Sequence, residues 1–126
     1  MKATQDRPVF LNLLRIRQPV TAVVSILHRI SGFFLVLLIP VSIYLLDLSL
    51  SSPEGFSQTV AILDHQLIRF AGIFICWLLV HHFLAGIRFL LLDFDVGINK
   101  AGARKTAWIV HAGAVIIAAV VAGALL

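Results

Sequence analysis

Three long apolar stretches, separated by two short polar ones, set the outline of this chain. The first runs from about Val20 to Leu50 and is interrupted by His28, Arg29 and Asp47. The second runs from about Leu67 to Leu92 and carries His81, His82 and Arg88, while the third, from about Thr106 to Leu126, contains only His111. A helix needs roughly 20 residues to cross a hydrocarbon core, and each stretch is long enough. The intervening "SLSSPEGFSQ" predicts a turn followed by a short helix opening near Ser57, and "DFDVGINKAGARK" predicts a charged, glycine-containing loop. The N-terminal "MKATQDRPVFLNLLRIRQP" has no uninterrupted apolar core before a small-residue cleavage site, so the first span is expected to be retained. The pattern predicts an all-α integral membrane bundle of three transmembrane helices, forming a single membrane-anchor domain over residues 1–126.

Composition strengthens this reading. Of 126 residues, 60% are hydrophobic and 13% charged, which exceeds what a soluble domain can solvate, and three spans leave no room for a soluble catalytic domain. The surroundings expected for such a chain are lipid, with no nucleic-acid partner. One cysteine, Cys76, excludes an internal disulfide and an all-cysteine metal site. Lys2, Arg7, Arg15 and Arg17 precede the first span, and Lys100, Arg104 and Lys105 follow the second, whereas the other connection has Arg69 at its edge. Basic residues mark the cytoplasmic side, so the N-terminus is expected in the cytoplasm and the C-terminus outside it.

With that orientation the polar residues inside the spans converge on one leaflet. Ser25, His28 and Arg29 lie in the cytoplasmic half of the first span; His81, His82 and Arg88 lie in the cytoplasmic half of the second. His82 stands about 9 Å deeper along its helix than Arg88, a difference suited to a ligand with an apolar body and an anionic edge, such as a haem. Ser25, Arg29 and Gly32 share one helical face, with His28 beside them, and His82 and Gly86 are one turn apart. A glycine one turn from a ligand histidine leaves space for a flat macrocycle. Spacing alone leaves two other readings open. In one, His28 and Arg29 snorkel to the headgroups as structural residues; in the other, Arg29, His82 and Arg88 line a polar pathway in a small transporter component or channel.

The run "RPVFLNLLRIRQPVTAVVSILHRISG", followed by "HFLAGIRFLLLD", resembles the cytochrome b membrane-anchor subunits of bacterial succinate dehydrogenase, respiratory complex II. The resemblance covers almost the whole chain, including "SSPEGF", and joins Ser-x-x-His-Arg-x-Ser-Gly to His-x-x-x-Gly-x-Arg in the expected order.

That resemblance implies a role for particular positions. Ser25 and Arg29 match residues lining the ubiquinone site, His82 matches the axial ligand of a b-type haem, and His28 and Arg29 match residues near the haem propionates. Only one matching ligand histidine occurs, so the second ligand is expected from a companion small anchor subunit that shares the haem. A flavoprotein subunit and an iron-sulfur subunit are the further partners, and the bacterial inner membrane is the expected location. A haem-less anchor is the alternative within the same family. Phe89 stands where some relatives have a histidine near a propionate, and Gln18 where some have an aromatic near the quinone entrance.

The other polar residues read more plainly. His81 points about 100° from His82 around the helix and is expected to hydrogen-bond between helices. His65 is expected to be solvated beside the outer connection, and His111 to be a packing or interfacial residue. Asp93 and Asp95 are expected at the surface, facing a basic soluble partner. Gly72, Gly113 and Gly123 suit close helix packing in lipid. The chain has no nucleotide fingerprint and no cysteine set for iron-sulfur clusters, so succinate oxidation is expected to belong to other subunits.

Overall fold

The computed structural model describes residues 16–126, as four helices in chain order: α1 Val20–Ser51, α2 Pro53–Asp64, α3 Gln66–Asp93 and α4 Lys100–Leu125. Helices α1, α3 and α4 are each long and apolar enough to cross a membrane. No strand occurs among the described residues. The 32 residues of α1 extend about 48 Å, against a hydrocarbon core of about 30 Å. It therefore tilts or projects into the headgroups.

Two helix starts differ from the expectation, and both are set by a capping side chain. Ser52 Oγ accepts from the Gly55 N–H at 3.0 Å and Pro53 takes the first helical position, so α2 begins at Pro53 rather than near Ser57. Asn99 Oδ1 accepts from the Gly102 N–H at 2.7 Å, so α4 begins at Lys100 and "KAGARK", expected as loop, is helical. The chain reverses between α3 and α4 through two left-handed residues, Asp95 (φ 60) and Gly97 (φ 77). The Asp95 N–H donates to Leu92 O at 3.0 Å and that of Val96 to Leu91 O at 2.9 Å, which closes the end of α3. Asp is among the few residues with a side chain that visit this region readily.

Helix α3 packs against both α1 and α4, and α2 folds back on the end of α1. Gly55 permits that fold-back, because a Cβ there would run into the Leu48 carbonyl and the Ser51 hydroxyl. Successive contacts fix an antiparallel register between α3 and α4. Arg88 meets Thr106, His81 meets His111, and Arg69 donates to the Leu125 carbonyl at 3.2 Å while also pairing with Asp64. Val24, Ala85, Ala107 and Val110 form the buried core where the three spans meet, with Val20, Leu84 and Phe89 packed on it.

Small residues let α4 approach α3 closely. Ala107, Ala114 and Ala118 form a buried stripe, and a Cβ on Gly113 would lie 2.9 Å from Leu84 Cδ1. Gly113 thus packs as expected, whereas Gly72 and Gly123 do not: neither has anything within 4 Å of an added Cβ. Phe33, Val36, Tyr44, Phe83 and Ile116 remain exposed on the outer faces, as side chains in contact with lipid or another subunit would be.

Candidate functional site

His82 is the best-held imidazole of the bundle. Its Nδ1 lies 3.0 Å from the His28 carbonyl oxygen and 3.1 Å from Ser31 Oγ, while Ser31 Oγ donates to the same carbonyl at 2.9 Å. A carbonyl only accepts, so Nδ1 carries the hydrogen and Nε2 keeps its lone pair. This is the arrangement that orients a metal-ligating histidine: one ring nitrogen tied to a backbone carbonyl, the other free. The His28 ring stacks on that of His82, with centroids 4.1 Å apart and planes 9° from parallel. Phe89 meets His28 edge-on at 5.2 Å. The phenyl ring packs on His28 and brings no second imidazole to that end of the site.

The glycine that makes room for His82 is Gly32 on α1. A Cβ there would lie 2.9 Å from His82 Cε1, closer than real contacts allow. Gly86, one turn along α3, was expected to clear the space in front of His82. Its protein neighbour is the other histidine: a Cβ on it would meet His28 Nε2 at 3.8 Å, an ordinary contact. Ser31 and Gly32 lie within the Ser-x-x-His-Arg-x-Ser-Gly motif, and their functions emerge only when α3 is laid against α1.

Ser25 and Arg29 lie on the same helix but outside the histidine cluster. Ser25 is half-buried, Arg29 is exposed, and neither has a hydrogen-bond or ion-pair partner among the described residues. The hydroxyls of Ser42, Ser49, Ser51 and Ser57 all donate back to a carbonyl of their own helix. That of Ser25 does not among the described residues, and is left for another acceptor or donor.

Two expectations change here. Arg88 was grouped with His82 toward an anionic ligand edge, but it is 5% exposed and turned to α4. There Nε donates to Thr106 Oγ1 at 3.1 Å and Nη2 to the Ala103 carbonyl at 3.3 Å. Six residues turn a helix through about 600°, so Arg88 and His82 occupy different faces. His81 was expected to hydrogen-bond between helices. It is buried to 1% exposure against His111, ring to ring at 5.2 Å, and both its nitrogens lack a partner among the described residues. His111 packs between His81 and Trp108, as expected of a packing residue. His65 is exposed and also caps α3, its Nδ1 accepting from the Leu67 N–H at 3.3 Å. Asp93 and Asp95 are exposed at the end of α3.

No group of three His, Cys, Asp or Glu side chains gathers to hold a bare metal ion among the described residues. A single oriented imidazole with a free Nε2 suits an iron whose other ligands come from a macrocycle and a second protein chain.

The family described as succinate dehydrogenase/fumarate reductase transmembrane subunit matches residues 3–121. The chain is 40% identical over 88 residues to the succinate dehydrogenase cytochrome b556 subunit of Coxiella burnetii (strain RSA 493 / Nine Mile phase I), covering 69% of this chain and 70% of that one. It is 32% identical over 117 residues to the protein of the same name from Paracoccus denitrificans, covering 90% of this chain and 87% of that one. Three membrane-spanning helices and a match of this extent settle the assignment: the chain belongs to the succinate dehydrogenase cytochrome b subunits, multi-pass proteins of the bacterial inner membrane and part of the succinate:quinone oxidoreductase complex.

Proposed function

We propose that this chain binds a b-type haem through His82, together with a companion small anchor subunit that supplies the second axial ligand, and that it forms part of the ubiquinone-reduction site. The observation that carries the reading is the bond between His82 Nδ1 and the His28 carbonyl, which leaves the Nε2 lone pair available to a metal. The group when bound supplies a one-electron carrier within the membrane. The names of the Coxiella and Paracoccus relatives, cytochrome b556 subunits, favour the same cofactor.

The residues have separable tasks. His28 and Arg29 contact the haem propionates, and this role gives Arg29 the anionic partner that an arginine inside a spanning helix needs. Ser25 donates its hydroxyl hydrogen to a carbonyl of bound quinone without adding charge. Arg29, always protonated, stabilises the negative charge that develops on the quinone oxygen as electrons arrive. Electrons come from an iron-sulfur subunit docked on the cytoplasmic face, which is supplied in turn by the flavoprotein subunit that oxidises succinate. Protons are taken from the same side.

Two measurements test this. A reduced-minus-oxidised spectrum of the purified complex shows a sharp b-type band if the haem is bound; a complex that reduces quinone without it is a haem-less anchor. Ser25→Ala should leave assembly, haem and succinate oxidation with a soluble artificial acceptor intact. It should lower the ratio of quinone-dependent to artificial-acceptor activity by on the order of 100-fold. Arg29→Leu should lower the same ratio and also disturb the haem spectrum. Wild-type ratios in both variants would place the quinone elsewhere.

A further inference from the structure

A second site lies where α1 and α4 enter the membrane. A cavity of about 600 Å³ opens between their N-terminal ends, walled by Gln18, Val20 and Val23 on one side and by Lys100, Arg104 and Trp108 on the other, with His111 at its far end. That volume falls within the range of about 300–1,000 Å³ typical of ligand pockets. Both walls grade the same way: Gln18 gives way to Val20 and Val23, and Lys100 and Arg104 give way to Trp108. On α4 this polar-to-apolar run from Lys100 to Trp108 covers about 12 Å of helix axis, with His111 one turn beyond. It begins at the helix end, at headgroup level.

Among the described residues, the charge in this cavity has no counter-charge. Lys100, Arg104 and Lys105 fall within the first six residues of α4, whose first turn contains no acidic residue. Neither Lys100 nor Arg104 forms an ion pair among the described residues. Cations are unfavourable at the positive end of a helix dipole, so a seated anion would relieve a repulsion that no acidic side chain among the described residues offsets. Basic pockets between spanning helices at the membrane surface suit anionic lipid headgroups, and an aromatic ring one turn below suits the glycerol and first acyl carbons.

We propose that this cavity holds one anionic phospholipid, with its phosphate between Lys100 and Arg104 and the start of an acyl chain along Val20, Val23 and Trp108. The site is separate from the His82 cluster, which lies between α1 and α3, and the proposal does not rest on haem or quinone binding.

The test uses the intact complex, washed in mild detergent and examined by native mass spectrometry. Phosphatidylglycerol should stay bound and phosphatidylcholine should wash out. Replacing both Lys100 and Arg104 by Gln should weaken retention roughly 30-fold, whereas Lys105→Gln, which removes one positive charge of the same helix end outside the cavity, should leave it nearly unchanged. Equal loss in Lys105→Gln, or equal retention of phosphatidylcholine, would overturn the proposal, since general surface charge or general apolarity would then suffice. Should the double variant not assemble, brominated phosphatidylglycerol added to the wild-type complex decides the matter. It should quench fluorescence that Trp108→Phe removes; quenching that is the same in both proteins overturns the site. Inorganic phosphate binding that added phosphatidylglycerol does not displace would assign the cations to a free anion and equally overturn it.

Discussion

Replacing Gly32 with alanine tests whether the α1–α3 contact holds the functional imidazole. The new Cβ would stand 2.9 Å from His82 Cε1. Ordinary carbon contacts begin near 3.5 Å, so about 0.5 Å or more must be found. The His82 ring cannot yield freely, because Nδ1 is bound to the His28 carbonyl at 3.0 Å and the ring lies on that of His28. Overpacking of this kind costs about 1–3 kcal/mol, and loosening the Nδ1 bond adds about 0.5–1.5 kcal/mol. If about 2–4 kcal/mol falls on the orientation of His82, haem affinity drops roughly 30- to 700-fold. The assay is haem content per complex together with thermal denaturation of the purified complex. Gly86→Ala is the internal comparison: its Cβ would meet His28 Nε2 at 3.8 Å, and it gains up to about 1 kcal/mol of helix propensity. Gly32→Ala should lose haem and melt earlier, while Gly86→Ala, whose new Cβ meets its protein neighbours without a clash, should melt near wild type. A Gly32→Ala complex with unchanged haem content and melting would refute the reasoning, because the ring would then have room that the packing denies it.

Two further outcomes are expected, one from the packing and one from the distribution of basic residues. Arg88→Leu removes two side-chain hydrogen bonds that tie α3 to Thr106 and the Ala103 carbonyl; it should destabilise the bundle by about 1–3 kcal/mol, read as earlier thermal dissociation of the complex, with the haem band retained in whatever remains assembled. A reporter fused after Leu126 should be active only outside the cytoplasm, and one inserted at the Gly97 turn only inside it; the reverse pattern would move Ser25 and Arg29 to the other leaflet.

The spans were readable because apolar runs of this length have one structural outcome in lipid. Capping was harder to read. "KAGARK" is polar and contains glycine, so it resembles a loop until the Asn99 side chain is seen closing its first turn. Depth along the helix grouped Arg88 with His82 although a six-residue separation puts them on different faces, and the direction in which Arg88 points depended on Thr106 and Ala103, which only the α3–α4 register brings near. Ser31 and Gly32 stood in a recognised motif without an assigned task. A hydroxyl's use is fixed by what lies opposite, and the opposing group sits 51 residues away in the chain. His81 carried the least information in its neighbours, since a histidine buried against another ring looks like one that hydrogen-bonds between helices until its nitrogens are placed.

The most direct test of the central claim sets two adjacent histidines against each other. His82→Leu removes the nitrogen left free by the His28 carbonyl, whereas His81→Leu replaces a ring whose nitrogens have no partner among the described residues. Low-temperature absorption and electron paramagnetic resonance of the two purified complexes report the axial ligands of the iron. The account predicts that His82→Leu loses the haem or turns it high-spin, and that His81→Leu keeps a low-spin b-type signal. A low-spin signal surviving in His82→Leu and vanishing in His81→Leu would contradict it.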